Sequence, residues 1–433
     1  MAGGGSWRAM TPWRLLEPGS VARALRLRDA LCPLGAIAAC FAITLAAGLL
    51  AGLVPAGWQG NWTDHVVRLQ PHFVDRFWPF DAVWYRAIAS GGYIWDPTQQ
   101  ATKQDIAFFP VWPLIERLTA RCTTSTAQAQ WSVVTIAAAS AAASVYAFHR
   151  LAGRVLPMPA VNTATFLFAL YPGAGFLLLA YPTGLMNLLC ILAMLAMLDG
   201  RLLQAAFWCA VLTGTGPLGL GTALTVCFCA LRRWVRSGRR RPGAVSGLAA
   251  ACAICALSVS GLVIFIGWQF FVFGDGFAFI KAQRAWAVPQ PWPSRLRHSF
   301  MLLMILPDFA AGARDIVVAI RSPTLIAAQA ALERVFNEIG LGALLIGVTA
   351  SLAMRTRLIA LQAGLTMLLF VWFHSATRPG IATFRLTYCS IGCFLGIAWL
   401  LRDRPVLSRI AIYASASLLA GGAFLSAAGY HFV

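Results

Sequence analysis

The chain has 433 residues, of which 59% are hydrophobic and only 11% charged, less than half the charged share of a soluble domain. With a mean hydropathy of +0.71, this excludes an ordinary water-soluble globule. It predicts an all-α polytopic membrane protein, because several apolar runs reach the ~18–20 residues that cross a hydrocarbon core. The formal charge of +19 would point to nucleic acid in a soluble protein. Here the arginines gather in short loops between apolar runs, where membrane orientation calls for them, so nucleic acid is not an expected partner.

In chain order, residues 1–32 are basic and, by the positive-inside rule, cytoplasmic. A first span is expected at 33–56; the run is too long for the core of a signal peptide and lacks a cleavage site. It delivers a long loop, 57–127, to the extracytoplasmic side. Spans follow at 128–148, 160–180 and 184–199. The apolar run 203–231 has arginines at both ends, and its middle, Thr213-Gly214-Thr215-Gly216-Pro217-Leu218-Gly219, suits no continuous helix. This predicts a re-entrant helical hairpin with both ends cytoplasmic and its tip facing an interior cavity. A span at 245–272 leads to a second extracytoplasmic loop, 274–322, whose latter part is expected along the membrane surface. Spans at 326–353, 357–374, 381–401 and 406–428 complete about nine full crossings plus the hairpin. No soluble domain is expected within 33–433.

Most of the eleven cysteines lie inside apolar runs, so no disulfide framework is expected. Cys252-x-x-Cys255 has redox or metal spacing but no polar neighbours, and reads as helix packing. A strong preference for arginine (only Lys103 and Lys281 are lysines) with abundant alanine suggests a GC-rich bacterial gene, hence a bacterial inner membrane. The sequon Asn61-Trp62-Thr63 carries no meaning in that setting.

The stretch from Phe77 to Pro113 is a polar, aromatic island that holds two of the few acids, Asp81 and Asp105. Asp81 could be a general base, a metal ligand or a solvated turn residue. Helical spacing puts Asp81, Trp84, Tyr85 and Ile88 on one face, with Gly91-Gly92 as a stop. The apolar, proline-stiffened Ala107–Pro113 then re-enters, giving an amphipathic platform in the interface with one acid at its edge.

F-D-A-V-W-Y-x-x-I-A-x-x-G-Y followed by A-F-F-P-x-x-P-L resembles the GPI mannosyltransferase 2 (PIG-V-like) family and its bacterial relatives, which belong to the GT-C class of integral membrane glycosyltransferases. The resemblance implies a GT-C-like bundle that transfers a hexose, usually mannose, from a polyprenyl-phosphate carrier to a glycan, lipid or protein acceptor outside the cytoplasm. It also implies that Asp81 is the general base, a role that suits the poor nucleophilicity of a sugar hydroxyl. A lipid-phosphate leaving group should meet a cation. Arg378 in SATRPG occupies a place where family members have an arginine, and Lys281, Gln283 and Arg284 fall in a segment like the family's second loop. Arg295 is a further candidate. Each cation could instead snorkel to lipid headgroups. Tyr85, Tyr93, Phe108 and Phe109, with Trp84 and Tyr181, would line the site or hold the loop in the interface.

The chain departs from the family pattern. Phe80 replaces a tryptophan before the acid. Thr183 stands where the family has a glutamate, and Gly216 where the hairpin has an arginine. The paired loss could mean a salt bridge dispensed with, altered substrate choice or lost activity. No cofactor is expected beyond the lipid-linked donor. A divalent cation would have only weak ligands in Asp64-His65 and His72-x-x-Asp75, and no nucleotide-binding fingerprint is present. The competing reading is a non-catalytic binder of lipid or sugar-lipid, or a transporter, on a GT-C scaffold. A transporter should show ionisable residues within spans and repeat symmetry, of which there is little.

Overall fold

The computed structural model describes residues 27–53, 77–237, 244–285, 325–354, 356–374 and 383–428, with scattered helical positions between 310 and 321. Asp64, His65, His72, Asp75, Arg295 and Arg378 lie outside these residues, as does most of the second loop's latter part. The described residues form helices and connecting turns, with no strand among them.

Helix α1 (Leu27–Ala51) leads to the first loop, which carries α2 (Ala82–Gly91), a 3-10 turn at Asp105–Ala107 and α3 (Val111–Arg121). The bundle continues through α4 (Thr126–Val155), α5 (Met158–Ala169), α6 (Thr183–Leu198), α7 (Leu202–Thr215), α8 (Gly219–Ser237) and α9 (Ala244–Phe273). After the short α10 (Ala278–Ala282) come α11 (Leu325–Leu352), α12 (Arg357–His374), α13 (Thr383–Leu386), α14 (Ile391–Leu401) and α15 (Pro405–Ala427). Four described segments are long and apolar enough to cross a membrane: Leu31–Ala51, Thr126–Val155, Ser246–Phe273 and Pro405–Ala427. The protein is a membrane protein.

Two expected spans are interrupted. The run 160–180 is helical only to Ala169 and then turns through a 3-10 segment at Pro172–Leu177, because proline cannot continue the α-helical ladder. The run 381–401 breaks at a 3-10 turn, Thr387–Cys389. Broken backbone inside a membrane protein survives when its freed groups find partners within the protein. Gln362 of α12 supplies them: its Nε2 donates to the Cys389 carbonyl at 3.0 Å and its Oε1 accepts from the Gly392 amide at 3.2 Å. The two breaks also meet each other, since Tyr171 Oη lies 3.1 Å from Thr387 Oγ1 and the Tyr388 hydroxyl donates to the Phe168 carbonyl.

The run 203–231 does fold as a helical pair, α7 and α8, broken around Gly216–Leu218. The second arm is longer than a half-helix, because Arg232–Arg236 continue it. Its basic end lies beside the start of α7, where an Arg233 guanidinium N–H donates to the Gly200 carbonyl at 3.4 Å. Leu218 at the tip is buried against Leu341, Leu344, Met367 and Phe370. Gly214 faces Val111 of α3, so the tip reaches up beneath the first-loop helices.

Helices in this bundle approach closely through small residues, as expected where lipid offers no hydrophobic drive and packing must supply the attraction. A Cβ on Gly261 of α9 would collide with the Ala210 carbonyl of α7, and one on Gly396 of α14 with the Gly347 carbonyl of α11. Gly396→Leu should therefore force α11 and α14 apart. We expect destabilisation at the upper end of the roughly 1–3 kcal/mol typical of overpacking, read as a lowered thermal midpoint in detergent, with Gly364→Ala, which faces open space, as the tolerated control.

Candidate active site

The first loop is pinned to the bundle just before Asp81. The Ala180 amide donates to the Phe77 carbonyl at 2.8 Å, the Tyr181 hydroxyl to the Pro79 carbonyl at 3.1 Å, and the Trp112 indole to the Ala180 carbonyl at 3.2 Å. Between these anchors Phe80 adopts φ +53°, a left-handed conformation that is strained for a bulky residue. The Phe80 ring is buried with Trp78, Trp112, Val133, Phe176 and Tyr181, which over-determines the conformation in the way such strain requires. The kink sets the direction of the next residue.

Asp81 stands at the N-cap of α2, where an aspartate ordinarily accepts from an amide of the first turn. Here its side chain makes no cap bond. Its Oδ2 instead sits 2.6 Å from a guanidinium nitrogen of Arg385 in α13, both side chains being about one-fifth exposed (22% and 17%). The Arg385 guanidinium also stands 5.3 Å from the centre of the Tyr181 ring and 5.7 Å from that of Phe176, a cation–π arrangement that a partly desolvated arginine favours.

Aromatic rings build one wall. Tyr85 meets Tyr181 edge-on at 6.1 Å and Phe108 at 5.2 Å, and Trp84 stacks on Phe108 at 6.0 Å. Burial pushes the Tyr85 phenol upward, opposed by the nearby Arg385 and reinforced by Asp81 and Glu116, which leaves it a neutral donor at physiological pH. Thus Asp81, Tyr85 and Tyr181 come together around Arg385, with Phe108 against Tyr85 and Trp84 stacked on Phe108.

Tyr93 and Phe109 belong to a separate cluster. They pack on Phe265 and Trp268 of α9 and on Phe279 of α10, while the Tyr93 hydroxyl donates to the Phe108 carbonyl at 3.0 Å. They hold the platform against the bundle. Lys281 Nζ pairs with Asp275 within the second loop at 2.7 Å, while Arg284 donates to the Gln100 amide oxygen at 3.0 Å and Gln283 to the Ala107 carbonyl at 3.3 Å. The last two contacts stitch the second loop to the first. Asp105 is buried and its Oδ1 accepts from the Ile94 amide at 2.8 Å, a loop-closing role.

Two charged residues of the site escaped the sequence reading. Arg385 sits inside the apolar run 381–401, where an ionisable residue in an expected span is by itself a functional signal. Glu116 lies one helical turn after Trp112, on the buried face of α3. It is 5% exposed, and its Oε1 has no hydrogen-bond partner among the described residues. Burial pushes its carboxyl up to about 8, with the Trp112 indole and the Arg86 charge opposing. The positions where the chain departs from the expected acid–base pattern also converge. A side chain at Gly216 would meet Met186, one turn along α6 from the buried Thr183, on the same helix face. Among the described residues no group of three His, Cys, Asp or Glu could hold a metal ion.

No protein-family model and no curated protein matches the chain. Among solved structures it is similar to the crystal structure of the Archaeoglobus fulgidus oligosaccharyltransferase tethered with an acceptor peptide containing the NVT sequon, with a TM-score of 0.40 and 11% identity over 90% of this chain. The chain spans 55% of that structure's chain.

Glu116 makes stability depend on pH with a definite sign. A carboxyl raised from 4.5 to about 8 binds its proton more tightly folded than unfolded, so its contribution is complete below about pH 4.5 and is lost as pH rises towards 8. In thermal melts, Glu116→Gln should flatten this fall and exceed the wild-type midpoint at pH 8, while matching it more closely at pH 5.

Proposed function

We propose that this chain is a GT-C-type glycosyltransferase of the bacterial inner membrane, moving a hexose, mannose in the resembling family, from a polyprenyl-phosphate carrier to an acceptor hydroxyl on the extracytoplasmic side. The observation that carries this reading is Asp81. Its carboxylate is turned away from its own helix cap by a strained backbone and held beside a guanidinium under an aromatic wall. A solvated turn residue would have no need of that arrangement.

In this reading the acceptor hydroxyl gives its proton to Asp81 as its oxygen bonds to the anomeric carbon. The bond from that carbon to the carrier phosphate breaks, its electron pair leaves with the polyprenyl phosphate, and the anomeric centre inverts. Arg385, already beside Asp81, would meet the charge growing on that phosphate. A guanidinium that shifts from the carboxylate to the phosphate would free Asp81 as the donor arrives. Trp84, Tyr85, Phe108 and Tyr181 would form the sugar-facing wall. Arg378, seven residues before Arg385, remains a further partner for the phosphate.

The convergence of Gly216 and Thr183 supports the salt-bridge account of the missing pair. An arginine and a glutamate at those places would neutralise one another, so losing both leaves no unpaired buried charge.

The test is transfer from radiolabelled polyprenyl-phosphate-mannose into membrane lipids or glycans at matched expression. Asp81→Asn should lose about two or more orders of magnitude, as expected on removing a general base. Arg385→Gln should lose activity with Asp81 intact, and Lys281→Gln should retain most of it. Equal transfer by wild type and Asp81→Asn would remove Asp81 from the mechanism. No transfer by wild type, with retained binding of the sugar-lipid, would favour a binding protein.

A further inference from the structure

The far end of the bundle holds a second site. Helix α6 starts beside Tyr181 and ends about 24 Å away after 16 residues. At that end its last turn, the end of α4 and the start of α7 enclose a cavity of about 300 Å³, at the small end of ligand pockets. Its charged lining is Arg150, Arg154, Arg201 and Asp199, three cations against one acid. Asp199 is fully engaged as a brace: Oδ1 takes Arg154 at 2.9 Å and Oδ2 takes Arg201. Each guanidinium has five N–H donors in a planar fork, so the brace fixes two of them in place while leaving donors over. Arg150 adds a third cation, exposed at the rim.

Gln204 and the Tyr146 phenol add two neutral polar groups, and the remaining lining is apolar, Leu192 and Leu195 among it, with Trp208 at one side. The surface next to Arg201 is apolar as well: Leu203 and Phe207 on α7 are 66% and 52% exposed, as residues facing acyl chains would be. Tryptophan favours this headgroup depth. A soluble anion would use the arginines but not this apolar floor and flank. A lipid uses both.

We propose that this cavity is a binding site for the headgroup of an anionic phospholipid, its phosphate taken by Arg150, Arg154 and Arg201 and its glycerol and first methylenes by Leu192 and Trp208. The site lies at the opposite end of the bundle from Asp81 and does not depend on the transfer reaction. It anchors the junction of α4, α6 and α7, and so the hairpin whose tip reaches the first-loop helices.

The test is titration of the purified full-length protein with phosphatidylglycerol and with phosphatidylcholine, followed by native mass spectrometry. Wild type should bind phosphatidylglycerol more tightly. The double variant Arg150→Gln/Arg201→Gln should bind it about thirtyfold more weakly, roughly fivefold for each basic residue near a membrane surface. Leu192→Trp, which fills the cavity without changing its charge, should weaken it too, and Asp81→Asn should bind as wild type does. Equal affinity for the two lipids would overturn the proposal. So would wild-type affinity in both site variants, or full displacement of the lipid by millimolar inorganic phosphate, which would mark a plain anion site.

Discussion

Removing a carboxylate and a guanidinium from water costs several kcal/mol for each ion, which their mutual attraction has to offset. The Asp81–Arg385 pair is brought together by three separate parts of the chain. The Phe80 kink aims the acid, the 180–181 turn fixes the loop and supplies the Tyr181 ring, and the broken segment before α14 presents the arginine. Each part depends on a further contact. The kink rests on a buried ring, the turn on the Trp112 indole, and the break on Gln362, whose amide satisfies backbone at its end and at the start of α14. A defect in any of these would reach the ion pair.

The aromatic residues of the first loop look equivalent in sequence, yet the fold divides them. Phe108 turns towards Tyr85 and Trp84, while its neighbour Phe109 turns towards Phe265 and Phe279. Successive side chains of an extended segment point to opposite sides, and the backbone at Phe108 is extended. One ring therefore serves the acid's pocket and the next fastens the platform to α9. Of the second loop's described cations, Lys281 is taken up by Asp275 within that loop and Arg284 by Gln100 of the first, whereas Arg385 is the cation paired with Asp81.

Arginine thus has two distinct settings in this protein. At the Asp81 site a single guanidinium is matched by one carboxylate and two aromatic faces. At the other end three guanidinia share one carboxylate around an apolar floor. The first arrangement is close to neutral and suits charge that appears only during a reaction. The second holds standing positive charge and suits a ligand that is always anionic.

By itself the sequence determined the helical, membrane-bound character, the break in the 203–231 run, and the grouping of an acid with aromatic residues around Asp81. Each of these follows from composition or local pattern: apolar length, glycine and proline within a run, and an acid among aromatics beside a helix start. The tertiary structure alone decided which cation meets Asp81, because Arg385 is about three hundred residues away in the chain and reads locally as part of a span. It also decided that Glu116 is buried, that Phe108 and Phe109 part company, and that the runs 160–180 and 381–401 break where their tyrosines and Gln362 can satisfy them. Local pattern sets what a segment prefers. Which partner closes a buried charge or a broken helix is set only when distant segments pack together, since no residue near in sequence can reach it.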